Sequence, residues 1–248
     1  MVFNKKIQYL VLSSLLVNIL LSILLYIACI KTDIHMRLMA YLGVINYSSS
    51  GSRHLVEFRC LDGWANCISK LNVSCDVVFY GNSITYESNF QKYFPGYTIC
   101  NLGCNRDDLD DLIFRSFIIR SVHPERIFIM GGINRFQELS LEEFEKKYNT
   151  LVDTISIQNP DSQIFLQSLL PVNISMEVGS RYADCREKIK EANRIIKNIA
   201  DENSCIYIDL YSKFQVNDFL PEKFTRDGLH LYPEAYEIWA TAISDYLK

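Results

Sequence analysis

Four short stretches of this chain carry side chains suited to acyl chemistry. The first is Gly81-Asn82-Ser83, which follows the apolar run Val77, Val78, Phe79 and Tyr80. Gly and Asn tolerate unusual backbone angles, so the triplet predicts a sharp turn at the end of a buried strand. A serine on that turn is a weak nucleophile until a base takes its proton. His230 is the candidate base, in Asp227-Gly228-Leu229-His230. Asp227 can accept a hydrogen bond from the second imidazole nitrogen, fixing the tautomer and stabilising the imidazolium. The competing reading makes Asp227 a helix cap and His230 a packing residue. Asn134, in Gly132-Ile133-Asn134, offers an amide to the oxyanion of a tetrahedral intermediate; alone it reads more often as an ordinary turn residue. The last stretch is Asn101 to Asp107.

These pieces need a scaffold that brings them together. From Asp76 the pattern alternates between β-branched or aromatic runs and helical periodicity. The strands are expected at Val77–Tyr80, Tyr97–Leu102, Arg126–Met130, Gln163–Leu170 and Cys205–Leu210. Helices are expected at Tyr86–Tyr93 and at Asp107–Ser121, whose inner face would be Leu109, Leu112, Ile113 and Phe117. Asp107, Asp108 and Asp110 suit that helix's dipole. Ser140 and Glu143 form a capping-box start for a helix to Gln158. Further helices are expected at Arg181–Ala200 and from Pro233, the latter burying Ala235, Ile238, Trp239, Ala242, Ile243 and Tyr246. Five strands alternating with helices imply an α/β fold: a three-layer α/β/α sandwich on a mostly parallel sheet. In such a sheet the loops after the strands share one edge, so the four stretches can converge.

Length and composition suit one sizeable domain plus an extra segment, with a net charge of only -4. There is no basic stripe, so nucleic acid gets no support as a partner. None of the eight cysteines forms a C-x-x-C pair, and no cofactor or metal is expected. Cys75, Cys100 and Cys205 fall at strand edges, where buried free thiols are common. Cys60 and Cys67 would be the disulfide pair of an exported domain, or two free thiols. Ile7 to Ile30 has no charged residue and as a helix would span about 36 Å, enough to cross a bilayer. It reads as an uncleaved signal anchor behind Lys5 and Lys6, with the globular part on the outer, periplasmic or extracellular side. The chain thus divides into an anchor at 1–31, a juxtamembrane segment and linker at 32–54, and a domain at 55–248.

Taken together, Gly81-Asn82-Ser83-Ile84, the Asn101 to Asp107 loop, Gly132-Ile133-Asn134 and Asp227-Gly228-Leu229-His230 resemble the four blocks of the SGNH hydrolases, the GDSL esterase/lipase family. The resemblance runs from about Asp76 to Lys248 in order, spacing and strand context. It implies a flavodoxin-like fold and metal-free hydrolysis or transfer of an ester-linked acyl group. By position it makes Ser83 the nucleophile, His230 the general base and Asp227 its orienting carboxylate. The oxyanion hole would comprise the Ser83 N–H, the backbone N–H of Arg106 and the Asn134 amide. Three departures stand out. Asn82 replaces the family's usual Asp, Arg106 falls on the usual oxyanion glycine, and Arg135 stands where the family often has Asp. The Arg106 side chain would either meet an anionic substrate or narrow the site.

The expected activity is that of a membrane-anchored serine esterase removing small O-acyl groups, O-acetyl on carbohydrate above all. An O-acyltransferase would use the same triad with an alcohol in place of water. A binding module with a weakened site is the non-enzymatic alternative.

Overall fold

The computed structural model describes residues 74–247. The segment Ile7 to Ile30, the linker, the domain start near Leu55, Cys60 and Cys67 lie outside the described residues, as do two of the three N-x-S sequons of the sequence, at Asn46 and Asn72, the third being Asn173. Among the described residues no helix is long and apolar enough to cross a membrane.

Five parallel strands form one sheet: β1 (Val77–Gly81), β2 (Ile99–Gly103), β3 (Arg126–Met130), β4 (Gln163–Gln167) and β5 (Ile206–Ile208). Their spatial order is β2-β1-β3-β4-β5. The chain therefore steps from β1 to one side, crosses back over it, and continues to the other. Ser83 follows β1 and Asn134 follows β3, so both stand at the point where the winding reverses, the crevice such sheets use for ligands.

Every residue of β1 is buried, because helices cover both faces. On one face Phe79, Phe128 and Phe165 stand level on adjacent strands, with ring centroids 5.0 and 4.3 Å apart. Phe90 of α2 (Phe90–Tyr93) stacks on Phe79, and Trp239 of α8 (Ala235–Ile243) meets Phe90 edge-on at 5.3 Å. The Trp239 indole N–H, fully buried, donates to Gln167 Oε1 at 2.6 Å, so the core holds no orphaned donor there. The opposite face is covered by α3 (Leu109–Arg115), α4 (Phe117–Arg120), α5 (Leu141–Gln158) and α6 (Arg186–Glu202). α5 starts as expected: Ser140 Oγ accepts from the Glu143 N–H at 3.1 Å, and the Glu143 carboxylate accepts from the Ser140 N–H. Phe144, Tyr148, Leu151, Val152 and Ile155 form its buried stripe, each worth about 1.5–3 kcal/mol of apolar burial.

Several expectations need correction. The helix expected at Tyr86–Tyr93 is two single turns, α1 (Ser83–Tyr86) and α2, because Asn82 caps a helix that begins at the serine itself. The helix expected at Asp107–Ser121 starts two residues later and breaks at Ser116, whose hydroxyl donates back to Ile113 O at 2.9 Å. Phe117 consequently turns outward and is 41 % exposed. β4 and β5 are shorter than expected. Residues Gly179–Cys185 precede α6 as a 3-10 segment, and the last helix starts at Ala235. Ile238, Ala242 and Tyr246 on that last stretch are only partly buried. Cys75 and Cys100 are joined in a disulfide with Cα atoms 5.9 Å apart, not free thiols; Cys205 is free. The Asn173 sequon is buried, its amide donating to Leu220 O at 2.9 Å.

Candidate active site

The turn after β1 is built from its own sequence. The fully buried Asn82 accepts the Ile84 N–H at 3.0 Å through Oδ1 and caps α1. Asn82 thus forms the cap that an Asp could also form, although among the described residues its buried Nδ2 has no partner. Asn101 in the middle of β2 locks this helix from the side. Its Nδ2 donates to Thr85 O at 2.8 Å and Ser88 O at 2.7 Å, while its Oδ1 accepts the Gly103 N–H at 2.9 Å. Gly103 has to be glycine, since a Cβ there would run into the backbone of Tyr86.

Ser83 is brought to His230 across 147 residues of chain: Ser83 Oγ lies 3.0 Å from His230 Nε2. The other ring nitrogen, Nδ1, lies 2.7 Å from Asp227 Oδ2. Asp227 Oδ1 accepts two further bonds, from the His230 N–H at 2.8 Å and the Leu229 N–H at 3.0 Å. Asp227 thus closes the loop and orients the imidazole at once. Burial opposes its charge, but these donors outweigh it and hold the carboxyl below the usual range. Gly228 makes the loop possible: it sits at φ 94°, and a Cβ would strike Asn173 O. Thr225 pins the ends, its hydroxyl donating to His230 O at 2.7 Å and accepting the Gly228 N–H at 2.9 Å. The spacing D-x-x-H brings the two side chains into contact, with Asp227 Oδ1 on the turn and Oδ2 on the imidazole.

Asn134 and Arg106 meet through the loop between β2 and α3. Asn134 Nδ2 donates to Asp107 O at 2.8 Å. Arg106 takes the left-handed conformation, φ 66°, at the place where the family has glycine. The backbone shape is kept without glycine, at a strain of order 1 kcal/mol. Arg106 is exposed. Arg135, also left-handed at φ 56°, bonds Asp108 at 3.2 Å and Glu138 at 2.8 Å. It ties the loop after β3 to the start of α3.

Two features were not read from the sequence as site residues. One is the buried pair Arg115 and Asp107: the Arg115 guanidinium bonds the Asp107 carboxylate in the core. Asp107 is therefore no dipole charge in a first turn; Asp108 is the cap, paired with Asp111 in a capping box. The available signal was an arginine three residues after Leu112, on the apolar face of an otherwise amphipathic helix. The other is Arg226, which joins Glu87 at 2.6 Å and so links the loop before His230 to the end of α1.

A hydroxyl, an imidazole and a carboxylate in hydrogen-bonded series, beside two loops rich in N–H donors, can activate an alcohol nucleophile. The model of the GDSL-like Lipase/Acylhydrolase family matches residues 79–238. No curated protein matches the chain. Among solved structures, a proposed platelet activating factor from Streptococcus pneumonia is 22% identical with a TM-score of 0.67, covering 81% of this chain and 100% of that one. A GDSL-like lipase from Bacteroides thetaiotaomicron is 20% identical with a TM-score of 0.62, covering 74% and 94%. An acetyl-xylooligosaccharide esterase from Geobacillus stearothermophilus, solved as a mutant, is 20% identical with a TM-score of 0.56, covering 71% and 95%. These likenesses are of fold, and the family match, which spans more than half of the sequence, goes further: the chain belongs to the GDSL-like lipase/acylhydrolase family, the SGNH hydrolases.

Proposed function

We propose that the chain is a serine esterase that removes small O-acyl groups, O-acetyl above all, from carbohydrate. The observation that carries this reading is the series Ser83 Oγ, His230, Asp227, at 3.0 and 2.7 Å. His230 Nε2 takes the Ser83 proton as Oγ attacks the ester carbonyl. The oxyanion then meets the N–H groups of Ser83 and Arg106 and the Asn134 amide. An amide carries two N–H donors, and only one of Asn134's is committed to Asp107. Collapse expels the sugar alcohol, which takes the proton back from His230 and leaves an acyl-enzyme on Ser83. Water, deprotonated by His230, attacks that ester and releases the acid. The acetyl-xylooligosaccharide esterase with the same fold supports a small acyl group on sugar. The anchor read in Ile7 to Ile30 would place the domain outside the cytoplasm, where a Cys75–Cys100 bridge is chemically stable.

The test is a panel of acetylated sugars and nitrophenyl esters of increasing chain length, with and without free sugar as acceptor. Acetyl esters should turn over fastest, with acetate as product. Acyl appearing on the added sugar instead would make the chain a transferase. Absence of both turnover and fluorophosphonate labelling in folded protein would favour a binding module. Asn134→Ala is expected to lower kcat by about 10²–10³, the usual cost of an oxyanion donor. An unchanged kcat in that variant would remove Asn134 from the site. kcat/KM should fall on the acid side, because protonated His230 cannot accept the hydroxyl proton. A kcat/KM that does not fall toward acid pH would count against His230 as base.

A further inference from the structure

The Arg115 side chain touches both walls of the site from beneath. It is fully buried at the end of α3. Its Nη2 donates to Gly81 O at 2.7 Å, at the end of the strand that delivers Ser83. Its Nη1 donates to Leu102 O at 2.7 Å, at the end of the strand that leads into the Arg106 loop. Its Nε donates to the Asp107 carboxylate. The Asp107 carbonyl in turn accepts the Asn134 amide. The Gly81 carbonyl also accepts the Cys104 N–H at 3.0 Å, so the same acceptor binds the loop directly. The Tyr80 ring lies under the guanidinium, 4.3 Å from its carbon, and packs it in place.

A buried charge is expensive, and an apolar residue would fill this space at lower cost. A planar fork that binds three acceptors on separate segments does something an apolar residue cannot: it fixes the distance between them. Those segments carry Ser83, Arg106 and, through Asp107, Asn134. We propose that Arg115 is a positioning residue that holds the oxyanion donors of Arg106 and Asn134 in register with Ser83. The proposal rests on the esterase reading of those donors. It extends the site to a side chain that touches no substrate.

The test uses the full chain and four variants. Arg115→Lys keeps the charge and loses the fork. Asp107→Asn with Arg115→Met removes both buried charges together, which protects the fold while leaving the loop unheld. Asp107→Asn alone keeps an oxygen for the guanidinium. Ile196→Ala is a buried change on α6, a helix that packs against β4 and β5. Arg115→Lys is expected to lower kcat about 10²-fold, the cost of a misplacement near 1 Å, with KM nearly unchanged. The rate of fluorophosphonate inactivation should fall with it, since phosphonylation uses the same oxyanion donors, while the acid limb set by His230 stays where it is. The neutral double variant should regain thermal stability without regaining kcat, and Asp107→Asn should lie between it and wild type.

A merely structural role predicts otherwise. If Arg115→Lys loses no more kcat than Ile196→Ala at an equal thermal midpoint, or if kcat returns with stability in the double variant, the proposal is overturned. If wild type neither hydrolyses esters nor labels, the esterase reading has failed, and hydrogen exchange at Cys104 to Asp107 decides the positioning role by itself. Faster exchange there in Arg115→Lys than in Ile196→Ala would sustain it, and equal exchange would end it.

Discussion

Ser83→Ala is expected to lower kcat by about 10⁶, leaving the small residual rate that binding and oxyanion donors supply without a nucleophile. The hydroxyl's role in the site is its 3.0 Å contact with His230 Nε2. The turn around it is held by other groups: the Asn82 cap on Ile84, the Asn101 amide on Thr85 and Ser88, and the buried Tyr236 hydroxyl, which donates to Ile84 O at 2.7 Å. Alanine is also the better helix former at the first position of α1. The fold should therefore lose no more than about 0.5 kcal/mol, the range of changes that break no packing or bonding feature. The checks are single-turnover ester cleavage, fluorophosphonate labelling and a thermal melt on the same preparation. Retained turnover with an unchanged melt would mean that the nucleophile is elsewhere.

How much of this was legible beforehand differs by feature. The strands and their burial followed from the apolar runs, since a strand covered on both faces reads as β-branched and aromatic residues throughout, as Val77 to Tyr80 do; their order in the sheet is a tertiary fact that the runs do not encode. Ser83, Asp227 and His230 stood out as candidates because Gly81-Asn82 precede the serine and Gly228 lies in the loop between Asp227 and His230. Helix boundaries were less so. Asn82 initiates α1 at the serine, and Ser116 ends α3, through local side-chain bonds that compete with the helical period. The pairing of Cys75 with Cys100 depended on β1 and β2 being neighbours, a tertiary fact that cysteine spacing does not encode. The Arg115–Asp107 pair was hidden for a related reason. A charged residue on an apolar helix face reads as an irregularity until the partner strands' carbonyls are placed around it.

Asp227→Asn should lower kcat by about 10⁴ while leaving the loop in place, and the reason lies in how the two carboxylate oxygens are used. Oδ1 accepts the backbone N–H groups of Leu229 and His230, which form the turn. An asparagine keeps that oxygen there, because its NH₂ cannot accept from backbone donors. The NH₂ must then face His230 Nδ1, 2.7 Å away in the wild type. Nδ1 becomes the acceptor, the ring proton moves to Nε2, and Nε2 then points an N–H at Ser83 where a lone pair is required. The wild-type carboxyl, held below its usual range by these donors, stays ionised wherever activity is assayed. By the same sign, the stability its ionised form contributes is present above the unfolded value near ~3.9 and is lost only as pH falls through the lower folded value. Asp227 therefore does not set the acid limb of the rate profile. Removing the charge of Asp227 should also weaken the imidazolium that forms in the transition state, so raising the pH recovers only part of the loss. Kinetics of Asp227→Asn across pH, with NMR of the His230 ring nitrogens to read the tautomer, checks both halves. A variant with the proton still on Nδ1 and near-normal kcat would leave Asp227 as a turn former alone.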